Sequence, residues 1–134
     1  MARLYRRRGP DADFELTAVF QTIPGLSVAA LFDEGEILVL GRLRVTNGTG
    51  GTISLTTRIQ YDGVDQPPVS YAGQIGAGGS EGYTDCAVVQ NAGGQHTLRL
   101  QAQGDAAAGD VVLANSAELT VIQLPVWSPE SFLS

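Results

Sequence analysis

Alternation of apolar and polar residues with a period of two dominates the chain. Leu98, Leu100 and Ala102 share one parity, while Thr97, Arg99, Gln101 and Gln103 share the other, as a half-buried antiparallel strand requires. The same pattern predicts a first strand over residues 14–20, broken at Pro24-Gly25, and a short strand over 26–32, apolar on both parities. Residues 36–46 form a long strand with Ile37, Val39, Leu43 and Val45 on one face. The other face changes along its length from Leu38 and Leu40 to Arg42 and Arg44. Asn47-Gly48 then predicts a tight hairpin returning through Ile53, Leu55, Thr57, Ile59 and Tyr61. Asp62-Gly63 and Asp65-Gln66-Pro67-Pro68 read as turn and linker before a short segment at 69–75. A further strand at 83–89 turns at 91–94 into the strand of residues 97–103, and residues 118–124 close the series. In that last strand Leu119 and Val121 lie on one parity and Ile122 and Leu124 on the other, so either a bulge shifts the register or both faces are covered, and the second option points to an oligomer.

Eight or nine strands of unequal length imply an all-β antiparallel sandwich of jelly-roll type. The expected organisation is a basic N-terminal arm at 1–13, a sandwich domain at 14–125 and a C-terminal tail at 126–134. The 134 residues suffice for one autonomous core, and 17 glycines with few charges suit short strands and tight turns. No apolar run approaches a membrane span, and the first residues lack the apolar region of a secretory signal, so synthesis in the cytoplasm is expected. The single cysteine, Cys86, allows no internal disulfide and reads as a small buried hydrophobe.

Charge alters this picture more than composition does. The net charge is −6, yet Arg3, Arg6, Arg7 and Arg8 cluster at the start, leaving four arginines against all fourteen acids in the rest. A basic arm thus precedes an acidic body, and if the arm is ordered, the expectation is that a partner orders it. Its removal, residues 1–9, is then expected to abolish partner binding and leave thermal unfolding unchanged.

The search for chemistry yields exclusions. His96, the only histidine, sits directly after a turn at a strand start and reads as structural; no catalytic residues, metal ligands or cofactor are assigned. The segment GQIGAGGSEG lacks the Lys-Ser/Thr ending of a phosphate loop. Asn47-Gly48-Thr49 spells a glycosylation sequon, but the turn reading is preferred. Asp33, Glu34, Glu36, Asp62, Asp65 and Asp85 contain no distinguishable acid pair. Nucleic acid is disfavoured, because the body is acidic and the arm carries no stacking aromatic besides Tyr5. Tyr71, Tyr83 and Trp127 leave a sugar-binding reading open. Trp127, Phe132 and Leu133 lie beyond the last strand and suit docking on a neighbour.

The alternating strand into RIQYDGV, the Gly-Ser-rich loop before Tyr83, GGQHTLRLQAQ and the closing ELTVIQLP resemble the small jelly-roll modules of tailed-phage virions, in head decoration proteins, head fibres and tail tips. The Gly-x-His-x-Leu-x-Leu segment is also similar to C1q- and tumour-necrosis-factor-like trimeric jelly rolls. The resemblance implies a non-enzymatic virion protein that trimerises and binds the major capsid protein or another structural partner. Arg3, Tyr5, Arg6, Arg7, Arg8, Ile122, Leu124, Trp127, Phe132 and Leu133 would be its partner-binding residues. The alternative is a carbohydrate- or receptor-binding module of a head or tail fibre, using loops near Asp62, Tyr71 and Tyr83. A cellular β-sandwich interaction domain is the third reading.

Overall fold

The computed structural model describes residues 3–66, 71–104 and 109–124. Eleven strands among these residues form two antiparallel sheets, three of the strands being only two or three residues long. The strands are β1 (Arg3–Gly9), β2 (Phe14–Glu15), β3 (Gln21–Phe32), β4 (Gly35–Asn47), β5 (Ile53–Tyr61), β6 (Val64–Asp65), β7 (Tyr71–Ile75), β8 (Ser80–Asn91), β9 (Gly94–Gln103), β10 (Asp110–Val112) and β11 (Ala117–Gln123). In the first sheet β4 is central. One of its edges carries β8 along its whole length, and the other carries β11 and then β10; β1 flanks β11 and β2 flanks β10. The second sheet runs β3-β9-β5, with β6 and β7 sharing the far edge of β5.

The expected all-β sandwich is present, and alternation selects its core. Ile37, Val39, Leu43 and Val45 of β4 are buried against Leu98, Leu100 and Ala102 of β9 and Leu55 and Ile59 of β5. Gly41 interrupts the inward row of β4, and Leu100 fills the space, its Cδ1 lying 2.8 Å from where a Cβ would stand. Thr57 of β5 donates to Asp85 of β8 across the interior at 3.2 Å. Burial pushes the Asp85 carboxyl above the ordinary aspartate value, against the lowering effect of hydrogen bonds from Thr57 and the Cys86 amide. A carboxyl raised in this way costs stability as pH climbs through its folded pKa. Asp85→Asn is therefore expected to raise the urea midpoint at neutral pH and to lose that advantage in acid, as paired denaturation curves would record.

Several local expectations are corrected. β4 and β5 do not form a hairpin: they lie in different sheets, and neither Asn47 nor Gly48 has positive φ. Asn47 is instead a fully buried corner. Its Nδ2 donates to the carbonyls of Gly51 and Ile75, and its Oδ1 accepts from the amide and hydroxyl of Thr49. That side chain is unavailable to a glycan. The two-residue hairpin sits at Asp62-Gly63, with φ of 50° and 81° and Tyr61 opposite Val64.

The 14–20 strand stops at Glu15 because the chain there crosses between sheets. Leu16 N–H donates to the Asp110 carbonyl, and Thr17 C=O accepts from Gly104 N–H. Pro24-Gly25 does not end its strand; β3 runs through it with a register shift between Thr22 and Ser27. Cys86 is exposed, since Tyr83, Asp85, Ala87 and Val89 take the inward parity of β8.

Candidate docking face

β1 is a strand, and the chain itself orders it. Seven register pairs join it to β11, from Arg3↔Gln123 to Gly9↔Ala117. Strand parity then divides the arginine run that the sequence presents as one cluster. Arg3, Tyr5, Arg7 and Gly9 lie on the side facing β3: Arg3 donates to the Leu31 carbonyl, the Tyr5 ring meets Phe32 edge-on at 5.6 Å, and Gly9 is buried near Pro24. Leu4, Arg6 and Arg8 lie on the outer face of the first sheet.

Ladder registers place this face in rows across β1, β11, β4 and β8. One row is Leu4, Ile122, Leu38 and Val88, wholly apolar, with Leu4 and Val88 more than half exposed. The next is Arg6, Thr120, Leu40 and Cys86, and the third is Arg8, Glu118, Arg42 and Thr84. Arg44 and Gly82 continue beyond it. Leu124 stands just past the end of β11 at the opposite margin, 36% exposed, its amide donating to the Glu36 carbonyl. A shallow hollow of about 620 Å³ lies over the middle rows.

Glu118 anchors the basic end. Arg6 approaches its Oε1 at 3.6 Å, while Arg8 and Arg42 approach Oε2 at 3.3 and 3.5 Å. Burial raises the Glu118 pKa, but the hydrogen bond from Arg8 and the charges of Arg42 and Arg6 outweigh it and hold the carboxyl below the ordinary glutamate range. The arginines are 59–65% exposed, so each pair contributes little to stability. Their consequence is a surplus of positive potential on an otherwise acidic protein.

Of the residues expected to bind partners, the structure gathers Arg6, Arg8 and Ile122 on this face. It sets Leu124 at the margin and turns Arg3, Tyr5 and Arg7 to the other side of β1. Trp127, Phe132 and Leu133 lie outside the described residues. Sequence reasoning passed over Leu4, Leu38, Leu40, Arg42, Arg44 and Val88 as site residues. The change from apolar to basic along the second face of β4 was the available signal.

The other candidate residues are occupied separately. Tyr83 is buried, its ring filling the space beside Gly73, which removes it as a sugar platform. Asp33 pairs with Arg3, Asp65 with Arg58, and Glu36 accepts from Gln90. Among the described residues, no three His, Cys, Asp or Glu side chains gather as metal ligands.

His96 clips two turns together. Its Nδ1 lies 2.5 Å from Asp62 Oδ2, its Nε2 lies 2.8 Å from the Gly93 carbonyl, and the ring stacks on Tyr61 at 4.8 Å. A carbonyl only accepts, and so does a carboxylate, so this geometry calls for a proton on both nitrogens. Hydrogen bonding to Asp62, then to Gly93, raises the histidine pKa. Hydrogen bonds from His96 and the Thr97 amide lower that of Asp62. The histidine contribution is complete below the ordinary value of 6.5 and is lost as pH rises through the folded pKa. The aspartate contribution is present above 3.8 and is lost as pH falls through its depressed pKa. Stability should therefore carry a histidine-dependent component between these values. In the His96→Gln variant the Tm difference from wild type should shrink as pH is raised above neutral.

No family profile and no curated protein matches the sequence. Solved structures do match the fold. The structure of the infectious bursal disease virus Gx strain superposes with a TM-score of 0.61 at 18% identity, over 92% of this chain and 32% of that one. The VP2 subviral particle of infectious bursal disease virus gives 0.56 at 17%, over 90% and 32%. Eiger TNF from S. frugiperda gives 0.52 at 10%, over 96% of both chains. The chain thus spans about a third of the length of the virus chains that it resembles. At these identities the likeness defines the fold: an all-β jelly-roll sandwich of the kind seen in viral capsid proteins.

Proposed function

We propose that this chain is a non-enzymatic structural component of a virion, of the head-decoration class, which trimerises and binds the major-capsid shell through the outer face of its first sheet. The observation that carries the reading is the solvent-facing row Leu4, Ile122, Leu38 and Val88, bordered by Arg6, Arg8 and Arg42 on a protein of net charge −6. An apolar band with a basic margin is a docking surface for a partner that carries both aliphatic and acidic groups. The fold shared with viral capsid chains supports the same assignment. In this reading Trp127, Phe132 and Leu133 fill apolar grooves on a neighbouring molecule. Three copies of a weak site on one trimer gain ~10²–10⁴ in avidity over one.

Co-sedimentation with shells assembled from the major capsid protein of the genome that encodes this chain tests the proposal. Wild type should pellet with the shells, and a Leu4→Asp/Leu40→Asp variant should stay in the supernatant with its Tm unchanged, because both side chains are exposed. Wild type that ignores the shells, or a variant that still binds them, would overturn it.

A further inference from the structure

The long strand β8 has one neighbour, β4, joined in unbroken register from Gly35↔Asn91 to Thr46↔Ser80; its second edge carries no strand among the described residues. An edge of twelve residues without proline or bulge is a template for another extended chain. Its outward side chains toward the basic end are small: Gly82, Thr84 and Cys86. A Cβ at Gly82 would meet nothing nearer than the Leu43 carbonyl at 3.9 Å. Arg42 and Arg44, one strand further in, are therefore reachable over β8 from its free side. A second hollow of about 480 Å³ opens over these arginines, between Gly82 and Thr84 of β8 and Ser116 on the β11 side of β4. Arg44 is braced toward β8 by Ser80, whose Oγ accepts from its Nε at 2.9 Å. Nearby, Glu118 in the grip of Arg6, Arg8 and Arg42 shows how this face already holds a carboxylate.

We infer that the free edge of β8 accepts an extended acidic segment of a partner protein as an added strand, its carboxylates bound by Arg42 and Arg44. The inference rests on the docking reading of this sheet and names its ligand. Added beside Thr84 and Gly82, alternate side chains of the segment project over the outer face, one strand spacing from β8 and two from the arginines, within reach of a glutamate meeting an extended arginine. Toward the other end the same parity meets Val88, which favours an aliphatic residue there. An acidic peptide suits this site better than nucleic acid. Strand addition needs a polypeptide backbone, and the remaining acidic surface repels a phosphate chain.

The probes are poly-L-glutamate, poly-D-glutamate and single-stranded oligo(dT), titrated into the full chain at low salt and followed by hydrogen exchange. Poly-L-glutamate should bind and slow exchange at amides of β8, and the D-polymer should bind more weakly, because strand pairing depends on backbone chirality and charge does not. Arg42→Glu/Arg44→Glu should weaken the L-polymer about tenfold, the combined effect of two surface ion pairs, with Arg99→Glu on the opposite sheet as the neutral control. Equal binding of the two polymers, no protection in β8, indifference to the arginine reversals or tighter binding of oligo(dT) would each overturn the inference. No shells enter this experiment, so it fails or succeeds separately from the capsid test.

Discussion

Removal of residues 1–9 should lower the melting temperature by roughly 10 °C or more. The prediction reverses the expectation of a detachable arm. β1 contributes a ladder of seven register pairs to β11, and each backbone hydrogen bond nets about 0.5–1.5 kcal/mol. Tyr5 adds an edge-on contact with Phe32, worth about 0.5–1.5 kcal/mol beyond the area it covers. Their loss, on the order of 3–6 kcal/mol, is a large part of the ~5–15 kcal/mol that holds a domain of this kind together. Gly9→Ala is the point version, because the new Cβ would stand 2.5 Å from the Pro24 carbonyl oxygen, a backbone atom that cannot swing aside. Calorimetric scans of both variants decide the matter; a truncated protein melting within a degree of wild type would show that β1 contributes nothing to the fold.

The second large effect lies at the centre of the sandwich. Leu100→Ala should cost about 2–5 kcal/mol, since the side chain is fully buried and faces Gly41, an inward position in the middle of β4 with no side chain of its own. Gly41→Ala alone should cost about 1–3 kcal/mol by pressing on Leu100. The two changes should not add, because the alanine at 41 occupies space that Leu100→Ala vacates. A double-mutant cycle by urea unfolding should therefore give a double variant more stable than the sum of the singles predicts. Strict additivity would mean that the sheets do not meet through this pair.

Both predictions rest on side-chain parity, and parity was the legible part of the sequence. The alternation of Leu98, Leu100 and Ala102, and of Ile37, Val39, Leu43 and Val45, assigns their strands and their buried faces correctly. Sheet membership is not written in that pattern. Asn47-Gly48 offers the chemistry of a hairpin, yet Asn47 spends its side chain on Gly51, Ile75 and Thr49 and turns the chain into the opposite sheet. The candidate docking face was legible in fragments: Ile122 on the outer parity of the last strand, and Arg42 and Arg44 following Leu38 and Leu40. Their union was not, because it depends on β1 and β8 lying on opposite sides of the β11-β4 pair, a long-range choice that no local spacing records. Cys86 was misplaced for the related reason that a lone thiol is usually buried, while β8 gives its inward parity to Tyr83, Asp85, Ala87 and Val89.

The pairing of β1 with β11 also sets an order of events during synthesis. The Arg8–Glu118 contact spans 110 positions, so β1 must wait for a strand made about a hundred residues later before it has a ladder to join. Closing so long a loop is a late and slow step. Throughout that wait four arginines sit on the unpaired segment, and like charges of that density discourage a naked strand from zipping onto its counterpart in another nascent chain. The basic run is thus expected to disfavour aggregation of the chain until β11 has been made.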